Sequence, residues 1–123
     1  MKIKLLLSAT LAANFAFANT SIDENITGVS YDAVNDLYTV SGDISLSANQ
    51  TYILEKPTFV TDGASITIGE GAIVRGQPDI GDGSQPGILF ICRGGQIFAE
   101  GTSTNPVIFT TAATGANGDA VYT

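Results

Sequence analysis

Histidine and tryptophan are absent from the 123 residues, cysteine and methionine occur once each, and lysine plus arginine number only 5. Each shortage excludes something. Without histidine the chain lacks the commonest general base and a preferred zinc ligand. Hydroxyls such as Thr51 and Ser65 therefore have no imidazole partner for a nucleophile triad. A single cysteine allows neither an internal disulfide nor a cysteine metal cluster. It lies in the apolar run Ile88-Leu89-Phe90-Ile91-Cys92-Arg93, where a small buried filler of a strand is expected. Set against 12 acids, the 5 cations leave a net charge of −7. So acidic a chain, with scattered cations, is a poor match for polyanions, which excludes nucleic acid as a partner.

What is present begins with an export signature. Met1-Lys2-Ile3-Lys4 is a short basic head, Leu5 to Ala13 an apolar run, and Ala16-Phe17-Ala18 supplies small residues before polar Asn19-Thr20-Ser21. That order is the three-part secretory signal. Its apolar part is shorter than the ~20 residues a spanning helix needs. Residues 1–18 are expected to be removed, leaving 105 residues with three cations and 12 acids. No later segment is long enough for a transmembrane helix. No cysteine follows the small residues to take a lipid.

The remainder expects β-structure. From Tyr38 onward, short β-branched and aromatic runs alternate with Gly, Asn, Asp and Pro, and no apolar period of 3.6 residues follows the signal. The expected strands are Tyr38–Val40, Ile44–Leu46, Tyr52–Leu54, Thr58–Val60, Ser65–Ile68, Ala72–Arg75, Ile88–Cys92, Gln96–Ala99 and Val107–Thr110. Residues 19–37 read as an N-terminal linker or cap, 38–111 as the β region, and 112–123 as a polar C-terminal end.

Internal repetition narrows the architecture. Residues 59–71 overlay residues 90–101 at an offset of 31. Val60 meets Ile91, Gly63 meets Gly94, Ile66 meets Ile97 and Ile68 meets Ala99, and each copy runs on into a third strand that sets Val74 against Phe109. Three short strands joined by tight bends make one triangular coil. Stacked coils pair equivalent strands in parallel and lay matching aliphatic side chains over one another. Gly63 and Gly94 suit corners that need positive φ. The polar, Gly- and Pro-rich segment 77–87 between the copies is expected to protrude as a loop.

With these residues in view, Tyr52-Ile53-Leu54, Phe59 to Ala64, Ile66 to Gly71, Arg93 to Ile97, Ala99 to Thr102 and Asn105 to Thr110 resemble the opening coils of exported right-handed parallel β-helix proteins. These form the pectin-lyase-like group of Gram-negative bacteria. The resemblance covers roughly residues 38–111 and rests on a repeat pattern, not a catalytic motif. It implies an all-β solenoid of about two to three coils, belonging to a longer solenoid as a fragment or shortened product. It also implies an exported location: secreted, at the cell surface or in the periplasm.

Candidate chemistry is sparse. Asp79 and Asp82 flank Ile80-Gly81 and could offer oxygen ligands to Ca²⁺, although Asp-Gly clusters ordinarily mark turns. Glu70 and Glu100 are expected at equivalent corners about one strand spacing apart, ~5 Å, too close to solvent-facing Gly turns for a convincing acid/base pair. Arg75 and Arg93 read as solvated. No catalytic residue and no cofactor are assigned. The favoured function is a non-catalytic secreted or surface module whose loops meet glycan or surface-protein partners. The alternative is the N-terminal cap and first coils of a polysaccharide lyase or hydrolase whose site lies elsewhere.

Overall fold

Val, Ile and Thr crowd the extended segments and Gly or Asn sits at nearly every bend, so the chain advances in strands of three or four residues. The computed structural model describes residues 19–113. The export signal and all but the first two residues of the polar end lie outside the described residues. The strands are β1 Asn19–Ser21, β2 Val29–Asp32, β3 Leu37–Val40, β4 Asp43–Leu46, β5 Thr51–Leu54, β6 Thr58–Val60, β7 Ser65–Ile68, β8 Ile73–Gly76, β9 Leu89–Ile91, β10 Gln96–Ala99 and β11 Ile108–Thr111. Every strand expected from sequence is there, with ends displaced by no more than one residue. Among the described residues there is no helix.

Three coils follow: β3-β4-β5, β6-β7-β8 and β9-β10-β11. Their strands stack into three sheets of order β1-β5-β8-β11, β4-β7-β10 and β2-β3-β6-β9. Every pairing between coils is parallel. The fold is a short parallel β-helix. The expected register holds at Val60↔Ile91, Ile66↔Ile97, Ile68↔Ala99 and Val74↔Phe109.

Alternation directs every second side chain inward. The interior is a set of rows running through the coils: Val40, Val60, Ile91; Ile44, Ile66, Ile97; Leu46, Ile68, Ala99; Tyr52, Val74, Phe109. Burial falls sharply along each row. Val60, Ile66 and Ile68 are fully buried, whereas Ile97 is 38% and Phe109 51% exposed. The first two coils are covered on both sides, and among the described residues nothing stacks upon the third. Ile66 and Ile97 are therefore equivalent in register but not in environment.

The first coil is sealed by residues from the segment 19–37, which the sequence marked as a linker or cap without strands of its own. β1 adds to β5 in parallel and β2 folds back antiparallel on β3. Ile22 is pinned by its N–H donating to the Ile53 carbonyl at 3.0 Å, and its side chain is 1% exposed. Ile26 packs against the same core. Burying an aliphatic side chain there contributes about 2–3 kcal/mol.

Two corners keep the winding in register. Gly63 and Gly94 have φ of 78° and 81°, and the Gly63 N–H donates to the Gly94 carbonyl at 3.0 Å. At the next corner Asn49, Gly71 and Asn105 stand one above another: the Asn49 N–H donates to Glu70 O and the Gly71 N–H to Asn105 O. The Asn105 amide then donates past Gly71 to Asn49 Oδ1 at 2.9 Å, joining coil three to coil one.

Candidate functional surface

Carboxylates are the only titratable groups in quantity, so the site question becomes where they converge. Asp79 and Asp82 lie in the exposed part of the loop that leaves β8 and returns to β9. The loop base is closed: Gln77 N–H donates to Leu54 O at 2.9 Å and Gly87 N–H to Gln77 O at 2.8 Å. Beyond that base, residues 79–85 are all exposed. Asp79 Oδ1 accepts from the Gly81 N–H at 2.9 Å. Asp82 Oδ1 accepts from the Ser84 hydroxyl and N–H, and those bonds, hydroxyl first, hold its carboxyl below the usual range. Each acid thus closes its own turn.

Glu70 and Glu100 do not stand level. The Glu100 N–H donates to Ile68 O at 3.0 Å, which sets Glu100 beside Gly69. The third coil carries a longer corner after β10, and Asn105 takes the place beside Gly71. The expected stacking of the two glutamates is displaced by one residue for that reason. Both are exposed. Arg75, expected to be free in solvent, is half-buried and donates from Nε to Thr111 O at 3.3 Å, tying β8 to β11. Cys92 is half-buried in the corner one residue past β9 instead of filling a strand interior. Among the described residues no three of Asp, Glu, Cys or His gather closely enough to hold a metal ion.

Sequence reasoning missed the group at the β2–β3 hairpin. Tyr31 OH donates to Asp36 Oδ1 at 2.7 Å, and Lys56 Nζ meets the same oxygen at 2.8 Å. Lys56, then Tyr31, draw the Asp36 carboxyl below its ordinary value. The hydrogen bond to Asp36 raises the Tyr31 phenol, and Asp36 likewise raises Lys56. Behind them Tyr38 is buried, and burial, followed by the charge of Glu24, pushes its phenol up to about 12. All three polar groups are satisfied by one another, which suits a clasp. The signal was available in Asp32-Ala33-Val34-Asn35-Asp36, where Asp32 caps the turn through the Val34 and Asn35 amides and Asp36 takes φ 55°.

On the outer face of the sheet β2-β3-β6-β9, Phe59 and Phe90 stack with ring centroids 4.5 Å apart and planes 6° from parallel. They are level partners in neighbouring coils. Their ladder braces the sheet from outside as the aliphatic rows do from within.

Short coils, three sheets paired in parallel from coil to coil and stacked interior rows define a β-helix whose described surface carries turns and loops in place of a convergent acid cluster. The match to a known family agrees: residues 38–120 fit the pectate-lyase-like β-helix domain. The chain belongs to that family. No curated protein and no solved structure matches it.

Proposed function

We propose that this chain is a non-catalytic β-helix module, exported by a Gram-negative bacterium, whose rigid solenoid presents its loops to glycan or protein partners at the cell surface or in its surroundings. The observation that carries this reading is the loop 77–87, fastened at its base to coil one and coil two, with its exposed residues outside every sheet. A scaffold of hydrogen-bonded coils fixes where the two ends of such a segment stand. Export is supported by the signal-like residues 1–18, and its check is the N-terminus of the protein recovered from culture, expected at Asn19.

The deciding experiment compares the full chain with a variant in which residues 78–86 are replaced by a short Gly-Ser link, on arrays of bacterial and plant glycans and by pull-down from surface extracts. Retention that depends on the loop supports the module. Family membership favours a second reading, the N-terminal cap and first coils of a carbohydrate-active enzyme. Eliminative cleavage of an acidic polysaccharide by this chain in the presence of Ca²⁺ would overturn the non-catalytic reading, while a carboxylate and basic cluster recurring on one strand face of coils encoded past Thr123 would establish the second.

A further inference from the structure

We infer that Asn25, in the exposed turn joining β1 to β2, is an acceptor for an N-linked oligosaccharide. The inference rests on the export proposed above, because transferases that attach such glycans meet their acceptors outside the cytoplasm. Asn25-Ile26-Thr27 has the Asn-X-Thr spacing of a glycan acceptor. Asp23 stands two residues before the asparagine, which completes Asp/Glu-X-Asn-X-Ser/Thr, the extended form of the acceptor in bacteria. The shorter spacing occurs also at Asn19-Thr20-Ser21 and at Asn49-Gln50-Thr51, where Phe17 and Ser47 hold the place of the acid.

The fold separates the three further. Asn19, Thr20 and Ser21 are β1 itself, paired with Thr51, Tyr52 and Ile53. Asn49 is exposed but engaged: its N–H donates to Glu70 O, its Oδ1 accepts the Asn105 amide at 2.9 Å, and Thr51 belongs to β5. A transferase must take the asparagine and the hydroxyl residue together into its own site, which at either place means parting a strand pair or a corner. Residues 22–28 lie between β1 and β2, outside both strands. Their turns are held by Ile26 N–H to Asp23 O and Val29 N–H to Ile26 O, each 3.0 Å, and by Asn25 N–H to Asp23 Oδ1 at 2.9 Å. Ile26 is half-buried and packs against the core, whereas Asn25 and Thr27, on either side of it, are exposed.

The reaction is a glycosyl transfer. Asn25 Nδ2 forms a bond to the anomeric carbon of an oligosaccharide carried on a lipid diphosphate. The bond from that carbon to the diphosphate oxygen breaks, the lipid diphosphate leaves with the electron pair, and one amide proton passes to the transferase. The Thr27 hydroxyl is the group by which the transferase reads the acceptor, and the Asp23 carboxylate adds a charge for it to meet. A glycan here adds bulk and solubility at the surface and enters none of the three sheets.

The test is the full chain produced in a Gram-negative host that carries a periplasmic oligosaccharide transferase and its lipid-linked glycan, beside the same host without the transferase. Intact mass, peptide mapping and the N-terminal sequence are read, with circular dichroism confirming that each variant is folded. The expected product begins at Asn19 and carries one glycan, on Asn25, only where the transferase is present. Asn25→Gln and Thr27→Ala should lose it, Asp23→Asn should lose most of it, and Thr27→Ser and Asn49→Gln should keep it. A chain cut before Asn19 but unmodified at Asn25, or one whose glycan survives Thr27→Ala, overturns the inference and leaves export standing. A chain recovered with residues 1–18 attached overturns export instead. The acceptor is then decided by incubating the purified, folded chain with membranes that hold the transferase and its donor, where absence of transfer to Asn25 overturns the inference.

Discussion

Gly71 has φ 72°, and a Cβ there would strike the side-chain oxygens of both Asn49 and Asn105. Two demands meet at one residue: a left-handed backbone and an open lane for the amide bond that crosses it. Gly71→Ala is expected to destabilise the fold by about 2 kcal/mol or more, read as a lowered Tm. Asn105→Ala, which removes only the amide bond, should cost about 1 kcal/mol. Tyr38 gives a residue-scale test of a different kind. Its phenol is raised to about 12, whereas an unfolded tyrosine ionises near 10. The neutral form is the one the fold favours, so stability is kept below pH 10 and falls between about pH 10 and about 12. Phenolate absorbance should show a step near pH 12 that coincides with loss of the β signal, and Tyr38→Phe should remove that step.

At the scale of elements, corner length explains what the sequence disclosed and what it hid. The second and third coils share four-residue corners after β6 and β9, so a constant offset exposed their kinship. The first coil turns in two residues between β3 and β4 and in three between β5 and β6. Its strands were recognisable one by one, but no fixed offset aligned them with the rest. The hairpin of β2 with β3 escaped because Ser30 and Asp32 alternate with Val29 and Tyr31 over only four residues. β1 escaped because Asn-Thr-Ser has no apolar pattern at all and is held through its backbone. Of the candidate site, Asp79 and Asp82 were legible as a loop pair, but these groups were not: Asp36 with Lys56 and Asn49 with Asn105 meet only through the winding. The sealing element can be tested directly. Ile22→Ala should cost about 2–4 kcal/mol and raise amide exchange in β1, β2 and β3 before β7.

For the molecule as a whole, burial is graded from the sealed first coil to the open third. One consequence is that two residues in the same row answer differently to the same change. Ile66→Asp places an unpaired charge where exposure is nil and should abolish the cooperative melt, since a stranded buried charge costs several kcal/mol. Ile97→Asp leaves its carboxylate in reach of water and should preserve a native-like β spectrum. Equal loss of folding in both would mean that the third coil is covered in solution.

The closed neck beneath Pro78 to Pro86 uncouples the number of residues above it from the pitch of the winding below. Doubling that overhang should cost only ~0.6 kcal/mol in closure entropy, whereas an extra residue at the Gly63 corner would have to break the bond from the Gly63 N–H to the Gly94 carbonyl. Variation can therefore accumulate at one address on this protein without disturbing its spine, and foreign peptides grafted at Asp82 should be carried by an unchanged fold.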